Sequence, residues 1–275
     1  MKQLPLLVIL FILIGCSGTP ETTETVTEAP EESNSVQGSE VTYSTDSTVM
    51  KGYISTKGST IKKKPGILIV HEWWGHNEYT RARADMLAQL GYVALAVDMY
   101  GDGKQAAHPE DAGKFAGQVF ANMDEAKAKF EAAMKQLKSH PDVDPDKIAA
   151  IGYCFGGSVV LTMANAGYDL DAVAAFHSGV ELPIPPNKDL RAKVLVAQGA
   201  ADPFVSPESA IAFQAAMDEI DADYKYIVYD SAVHAFTNPG ADALGKKFNL
   251  PLAYQQKADD ASWQELQDLL NYAFN

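Results

Sequence analysis

Short apolar runs that alternate with helical stretches are the feature of this sequence that most limits its fold. Ile67 to Val70 and Tyr92 to Val97 contain no charged residue, as in strands that are covered on both faces. Between them, a helical pattern over Glu78 to Gln89 ends just before Gly91, a common helix-terminating residue. Because buried strands joined by helices are typical of crossover connections, this alternation predicts a mostly parallel sheet with helices on both faces.

The same patterns continue through the rest of the chain, from residue 40 to residue 275, and predict one domain without an internal repeat. Alternating polar and apolar residues predict an antiparallel hairpin formed by Val41 to Thr45 and Val49 to Ser55. A long helical region, as one helix or two, covers Pro109 to Ser139. Further strands are predicted at Lys147 to Ile151, Ala172 to Phe176, Lys193 to Ala197 and Tyr224 to Tyr229. Further helices are predicted at Ser158 to Asn165, Pro207 to Ile220 and Leu252 to Tyr272.

The N-terminal segment has the pattern of an export signal. A short positively charged start, Met1-Lys2, precedes the apolar stretch Leu4 to Ile14, which is too short for a spanning helix of about 20 residues. Leu13-Ile14-Gly15-Cys16 resembles the bacterial lipobox, in which a peptidase cuts before a cysteine that carries lipid. Residues 1–15 are therefore predicted to be a lipoprotein signal peptide. An ordinary signal peptide or an uncleaved anchor is the alternative.

The segment that follows the signal is predicted to be a flexible linker. Residues 16–39 are rich in Thr, Glu and Pro and hold almost no large apolar side chains, so they cannot offset the entropy cost of ordering. With a lipid on Cys16, this linker would hold an exported protein at a bacterial membrane, in the periplasm or on the cell surface. The formal net charge of -14 argues against nucleic acid as a partner. We expect a monomer that needs no cofactor.

The stretch GYCFGG, residues 152–157, directly follows a predicted strand. The chain has two cysteines, and lipidation of Cys16 would leave Cys154 as an unpaired thiol. Gly152 and Gly156 flank Cys154 in the pattern of a nucleophile elbow, with cysteine in place of serine. A strand that turns straight into a helix brings backbones too close for side chains at the flanking positions. The alternative is an ordinary glycine-rich connection around a small buried cysteine.

Two further polar residues follow predicted strands. Asp202 lies in a turn after the strand at Lys193 to Ala197, and His234 follows the strand at Tyr224 to Tyr229. Because chemistry collects at the carboxyl ends of parallel strands, these residues are candidate partners of Cys154. Nucleophile, acid and base in this chain order is the α/β-hydrolase arrangement. His234 would serve as general base and acid, and Asp202 would orient it; a helix-capping aspartate and a hydrogen-bonded loop histidine are the alternatives.

The position of the elbow also favours catalysis. A thiol at a helix N-terminus is near the positive end of the helix dipole, which favours the thiolate. The N–H of Phe155 would be one donor of an oxyanion hole. His177 ends another predicted strand and could line the same pocket. No metal site is predicted, because His71 and His76 are five residues apart astride Gly75, whereas the zinc helix motif places its histidines four apart.

Together these motifs resemble the dienelactone hydrolase family, from about Val41 to Ala273. The resemblance implies an α/β-hydrolase fold and a Cys-Asp-His triad that cleaves an ester or lactone through a thioester. The substrate would be a small molecule, and the reaction would need no cofactor. The matching stretches are Gly152 to Gly157, Gly199 to Pro203, His234 to Phe236, Glu72 to Asn77 with Arg81, and Val97 to Gly101.

The resemblance also implies roles for residues outside the triad. Glu72 would pair with the resting thiol and release it as thiolate when substrate binds, and the N–H of Trp73 would be the second oxyanion donor. A carboxylate that faces water is the alternative for Glu72. The family's dienelactone-cleaving members hold the substrate carboxylate with two arginines. Arg81 would be one of them, but Phe236-Thr237-Asn238-Pro239 contains none where the second would lie. We therefore expect hydrolase chemistry, with dienelactone itself not the expected substrate.

The remaining predictions concern the pocket and the class of function. Trp73, Trp74, Tyr153 and Phe155 would form aromatic walls around the substrate, although the same residues could equally pack in the core. The leading function is a carboxylic ester hydrolase. A thioesterase or acyl transferase on the same triad is a second possibility, and a non-catalytic lipoprotein that binds a ligand or partner is a third. The complete set of Cys154, Asp202 and His234 favours an enzyme, because a degenerate site would have lost at least one of them.

Overall fold

The computed structural model of the protein describes residues 35–58 and 62–275. The predicted signal peptide, the lipidation site at Cys16 and residues 16–34 of the predicted linker lie outside these ranges. The first strand begins at Val36, so residues 36–39, which we assigned to the linker, belong to the sheet instead. In the part of the chain that the structure describes, no helix is long and apolar enough to cross a membrane.

Eight strands form a single sheet within the described residues, in the spatial order β1-β2-β4-β3-β5-β6-β7-β8. The first two strands are antiparallel to each other, and the second is antiparallel to the fourth. All other neighbours are parallel, so the predicted mostly parallel sheet is confirmed. The strands are β1 (Val36–Ser44), β2 (Val49–Lys57), β3 (Lys64–Val70), β4 (Val93–Val97), β5 (Val143–Tyr153), β6 (Ala172–Phe176), β7 (Lys193–Gly199) and β8 (Tyr224–Tyr229).

Seven helices lie within the described residues: α1 (Glu78–Gln89), α2 (Pro109–Ala121), α3 (Met123–Lys138), α4 (Phe155–Asn165), α5 (Pro207–Glu219), α6 (Ala241–Phe248) and α7 (Gln256–Phe274). The long helical region is two helices, because the side chain of Asn122 accepts a hydrogen bond from Glu125 N and thereby begins a new helix. Helix α6 was not predicted, because it is only eight residues long and contains Gly245, a poor helix former. The helix predicted at Leu252 to Tyr272 is α7, which begins four residues later.

The sheet is covered on both faces, as predicted. Successive residues of a strand point to opposite faces, so Leu68 and Val70 of β3 pack into one apolar cluster while Ile67 and Ile69 pack into another. Helices α3, α4 and α5 contribute to the first cluster, and α1 and α7 to the second. The runs Ile67 to Val70 and Val93 to Val97 lack charged residues because neither face of these strands meets water. The parallel strands bring their carboxyl ends to one edge of the sheet, where the loops after β3, β5, β6, β7 and β8 meet.

Candidate active site

Cys154 lies in the sharp turn between β5 and α4. Its backbone has φ of +54° and ψ of −118°, and its N–H donates a 2.9 Å hydrogen bond to Phe176 O at the end of β6. A positive φ is costly for a residue with a side chain, and such strain is found mainly at functional sites. Cys154 is also the N-cap residue of α4 and is partly exposed. The thiol therefore lies near the N-terminus of a helix, within reach of solvent.

The glycines on either side of Cys154 are required by close backbone contacts. A Cβ on Gly152 would lie 2.1 Å from Gly156 O, and a Cβ on Gly156 would lie 2.2 Å from Val70 O. Both distances are far below van der Waals contact, and the neighbouring atoms belong to the backbone and cannot move aside. The predicted steric reason for these two glycines is confirmed.

His234 and Asp202 are joined by a 2.8 Å hydrogen bond between Nδ1 and Oδ2. Asp202 is held in place by Gln198, whose side-chain amide donates to Oδ2 at 2.8 Å, and by the N–H of Phe204, which donates to Oδ1 at 2.9 Å. Both His234 and Asp202 are buried. Because the carboxylate occupies Nδ1 of the imidazole, Nε2 is the nitrogen that remains for Cys154.

The charge state of His234 is set by its two neighbours. Burial by itself lowers the pKa of His234, but the negative charge of Cys154 and hydrogen bonds with Asp202 and Cys154 together raise that pKa to about 10. The imidazole is therefore protonated at neutral pH when the sulfur is a thiolate. The structure brings Cys154, Asp202 and His234 together from three separate loops. Their roles as nucleophile, orienting acid and base stay predictions.

Glu72 is a buried carboxyl group at the edge of this constellation. It follows β3, its exposed fraction is 3%, and Asn238 Nδ2 donates a 2.7 Å hydrogen bond to its Oε2. Burial raises the pKa of Glu72 to about 7, although the bond from Asn238 and the positive charges of His234 and Arg83 oppose this shift. The alternative of a carboxylate that faces water is wrong. The pairing of Glu72 with the resting thiol stays a prediction.

The loop after β3 is held by a buried histidine and a tyrosine. His71 Nδ1 donates to Glu72 O at 2.6 Å, and its Nε2 accepts from Met99 N at 3.3 Å. Burial lowers the pKa of His71, so this bridging ring is neutral. The hydroxyl of Tyr100 donates to Trp73 O at 2.9 Å. These bonds fix the peptide units that surround the N–H of Trp73.

Two backbone donors are candidates for an oxyanion hole. The N–H groups of Trp73 and Phe155 donate to no acceptor within residues 35–58 and 62–275. Free donors beside a nucleophile are the arrangement that a developing oxyanion needs. Their role in an oxyanion hole stays a prediction.

A buried hydrogen-bonded network lies behind His234, and sequence reasoning missed most of it. Thr237 Oγ1 lies 2.7 Å from His177 Nε2 and 2.6 Å from the hydroxyl of Tyr79. Arg83 Nε donates to that tyrosine hydroxyl at 3.3 Å. The ring of His177 makes an edge contact with the ring of His234, with 5.3 Å between the centroids. Only the position of His177 after a predicted strand pointed towards the site.

One end of this network has a fixed direction. Arginine can only donate, so the hydroxyl of Tyr79 accepts from Arg83. Thr237 Oγ1 bonds to both Tyr79 and His177 Nε2, while His177 Nδ1 is buried without a hydrogen-bond partner among the described residues. Burial and the positive charges of His234 and Arg83 hold the pKa of His177 well below its usual value. A neutral ring therefore lies against the imidazole of His234.

Arg81 was predicted to bind substrate, but the structure pairs it elsewhere. Its guanidinium forms an ion pair with Glu40 of β1 and lies over the ring of Tyr53 of β2, 5.4 Å from the centroid. Both partners belong to the antiparallel hairpin of β1 and β2. No sequence pattern indicated that this hairpin lies next to α1. The buried arginine near the site is Arg83, which lies two residues further along the same helix.

Two of the predicted pocket aromatics lie in the core. Tyr153 has an exposed fraction of 1% and stacks on Phe176 with 4.9 Å between centroids, because it points to the opposite face of β5 from its neighbour Cys154. Trp74 is buried and stacks on Phe248 of α6. The alternative of core packing therefore holds for these two side chains, and their contact with substrate stays a prediction. Trp73 is only partly buried and stays a candidate.

Metal binding is not indicated by the described residues. Within residues 35–58 and 62–275, no group of three or more His, Cys, Asp and Glu side chains could hold a metal ion. The reactive groups described at the site are the sulfur of Cys154, the imidazole of His234 and the carboxyl groups of Asp202 and Glu72.

The parallel sheet, the elbow between β5 and α4, and the acid and histidine after the next strands define an α/β-hydrolase. The family model for the dienelactone hydrolase family matches residues 50–274. The chain belongs to the dienelactone hydrolase family.

Similar proteins agree with this membership. The chain is 31% identical over 208 residues to protein usf of Aquifex pyrophilus, which covers 73% of this chain and 87% of that protein. It is 28% identical over 153 residues to a carboxymethylenebutenolidase of Pseudomonas putida, which covers 53% of this chain and 64% of that enzyme. These relatives support a hydrolase that acts on a small molecule.

Two solved structures match nearly the whole described domain. The structure named m3DLH superposes with a TM-score of 0.82 at 33% identity and covers 88% of this chain and 100% of its own. A dienelactone hydrolase-like promiscuous phosphotriesterase from metagenomic libraries has a TM-score of 0.81 at 30% identity, with the same coverage of 88% and 100%.

Proposed function

We propose that the protein hydrolyses a carboxylic ester or lactone with Cys154 as nucleophile. The observation that carries the proposal is the position of Cys154, in a strained turn at the N-terminus of α4 and beside His234, whose ring is held by a 2.8 Å hydrogen bond to Asp202. An imidazolium beside the sulfur stabilises the thiolate, which is the nucleophilic form of cysteine.

The first half of the reaction forms a thioester. The thiolate of Cys154 attacks the carbonyl carbon, and the negative oxygen that develops accepts hydrogen bonds from the N–H groups of Phe155 and Trp73. As the C–O bond breaks, the imidazolium of His234 gives its Nε2 proton to the leaving alkoxide. An alcohol departs, or in a lactone the ring opens, and the acyl group stays on the sulfur.

The second half returns the enzyme to its starting state. The neutral imidazole of His234 takes a proton from water, and the resulting hydroxide attacks the thioester carbonyl. The C–S bond breaks, the acid is released, and the thiolate again faces an imidazolium. Throughout, the hydrogen bond from Nδ1 to Asp202 holds the ring orientation.

Glu72 would control the resting state of the thiol. Its pKa near 7 means that the carboxyl group exchanges a proton at neutral pH. In the deprotonated form it can accept the proton of Cys154, and in the protonated form it presents no charge to the thiolate. We infer that substrate binding shifts this balance towards the thiolate.

The decisive test is turnover of p-nitrophenyl acetate by the wild type and by Cys154→Ala. We expect the variant to lose about 10³-fold or more in kcat/KM, because nothing else in the site can form the acyl bond. Mass spectrometry of acid-quenched wild-type protein should show the acetyl group on Cys154. Equal activity of the two proteins would remove Cys154 from the mechanism.

We also propose that the protein is exported and lipid-anchored through Cys16, as a monomer, with residues 16–34 as a tether. The lipobox-like sequence before Cys16 supports this proposal. Cys16→Ala should abolish incorporation of a labelled fatty acid and release the protein from the membrane fraction. Unchanged membrane association of the variant would contradict the anchor, and light scattering on the released protein tests the monomer.

A further inference from the structure

The arginine nearest to the triad has no capacity left for a substrate. Arg83 Nη2 donates 2.6 Å hydrogen bonds to Thr237 O and to Asp259 Oδ1. Its guanidinium is buried and lies 5.4 Å from the centroid of the Tyr153 ring. A cation in this position is paired and enclosed, so it cannot reach a ligand in the cleft.

The other cations around the site are also compensated. Arg81 pairs with Glu40 on the outer hairpin. Lys129 lines a cavity of about 400 Å³ together with Tyr100, and its ammonium lies 3.8 Å from Glu125 Oε1 and 3.4 Å from Tyr100 O. Each of these charges therefore already faces a carboxylate.

The carboxyl groups around His234 have no cation that is free to bind a substrate. Asp202 bonds to the imidazole of His234, and the buried Glu72 bonds to the neutral amide of Asn238. Asn238 in turn accepts a 2.8 Å hydrogen bond from Gly240 N. The whole chain carries a formal net charge of -14, which adds a long-range repulsion for anions.

An apolar surface lies beside the same imidazole. Phe204 has an exposed fraction of 53%, and its ring contacts His234 edge to face with 4.9 Å between centroids. The partly buried Trp73 lies in the loop after β3. Uncharged acyl or alcohol groups would cover these rings favourably.

We propose that the site selects uncharged esters and rejects substrates that carry a carboxylate near the scissile bond. This inference rests on the proposed hydrolase function and deepens it by naming the charge class of the substrate. A substrate carboxylate in the cleft would lose water without gaining a cation, beside Glu72 and Asp202. An unpaired ion in such a place is strongly disfavoured.

The test uses two activated esters of the same shape. p-Nitrophenyl 6-methylheptanoate is neutral, and the p-nitrophenyl monoester of adipic acid places a carboxylate where the other has an isopropyl group, on a chain too long for rapid attack of the carboxylate on its own ester. We expect kcat/KM, divided by the spontaneous hydrolysis rate of each ester, to be at least about tenfold higher for the neutral ester. The ratio should fall as NaCl is raised from about 0.02 M to about 0.5 M, because salt screens the repulsion.

Two variants separate this proposal from its rivals. Arg81→Gln should leave the ratio unchanged, and Glu72→Gln should raise the relative rate of the anionic ester several-fold by removing a negative charge. A ratio near one, a preference for the anionic ester, or a loss confined to that ester in Arg81→Gln would each overturn the proposal. Absence of turnover for both esters would instead contradict the hydrolase function on which it rests.

Discussion

Asn238 donates a 2.7 Å hydrogen bond to the buried carboxyl group of Glu72, across 166 positions of sequence. This contact joins the loop after β3 to the segment that follows the candidate base. Its partner is a neutral amide, so it offsets only part of the cost of burying a charge. Burial therefore prevails and raises the pKa of Glu72 to about 7, which lets a carboxyl group at the site hold or release a proton at neutral pH.

The pKa of Glu72 predicts a pH-dependent stability. The folded-state pKa lies above the unfolded value of 4.5, so the contribution is fully present below pH 4.5 and is lost as the pH rises through about 7. Glu72→Gln removes this titration. The difference in unfolding free energy between the variant and the wild type should therefore shift by about 2 kcal/mol from pH 5 to pH 8, in the direction that makes the variant relatively more stable at pH 8. Urea titrations at both pH values measure the difference, and an equal offset at the two would contradict the assignment.

The proposed pairing of Cys154 with His234 predicts how fast the thiol is alkylated. In a Cys16→Ala background, iodoacetamide should modify Cys154 faster at pH 6 in the wild type than in His234→Gln, because a protonated imidazole beside the sulfur favours the thiolate. His234→Gln should react slowly at pH 6 and faster with rising pH, as a thiol without a partner does near pH 8.5. Asp202→Asn is the intermediate case, because it weakens the imidazolium without removing it. Identical profiles for wild type and His234→Gln would exclude the ion pair.

The network behind His234 predicts that His177 and Thr237 are positioning residues. Thr237→Val removes the hydroxyl that lies 2.7 Å from His177 Nε2, so the ring loses its polar partner and kcat should fall about three- to tenfold with little change in KM. Thr237→Ser keeps the hydroxyl and should keep the activity. In ¹⁵N spectra, His177 should stay neutral through the whole acid titration of the folded protein. A protonated His177, or equal loss in the serine variant, would point to packing alone.

Two glycines offer a matched test of the elbow. Gly156→Ala places a Cβ 2.2 Å from Val70 O, so it should destabilise the fold by several kcal/mol, about the size of other severe overpacking changes. Gly117→Ala in the middle of α2 meets nothing within 4 Å and should stabilise by about 0.5–1 kcal/mol through helix propensity. Thermal unfolding of both variants measures the contrast. Similar melting temperatures would mean that the elbow tolerates a side chain.

Much of the architecture was predictable because it depends on short-range patterns. The bounds of α1, β6 and β8 agree with the predicted segments, since burial on one or both faces repeats along each element. The need for Gly152 was interpretable because its close contact, Gly156 O, lies four residues further along the chain, whereas Gly156 meets Val70 O only in the folded sheet. Helix α6 was missed because it is only eight residues long.

The candidate site was predictable only in part. The order of Cys154, Asp202 and His234 along the chain indicated that three loops would meet, and the structure brings them together. The hydrogen bond between Asn238 and Glu72 and the chain from Arg83 to His177 join segments that no local pattern connects. Arg81 shows the converse case. The family resemblance implied that it binds substrate, whereas in the folded protein it pairs with Glu40.

The amino-acid sequence by itself determined the parallel sheet, its covering helices and the sharp turn at Cys154. The repeat of apolar residues along each element and the close contact of Gly152 with Gly156 O act between near neighbours in the chain. Only the tertiary structure decided which charges are compensated: Arg81 and Arg83 face carboxylates, Glu72 faces an amide, and His177 is kept neutral. The energy of a buried charge depends on the groups within a few ångströms of it. In this fold those groups come from distant parts of the chain.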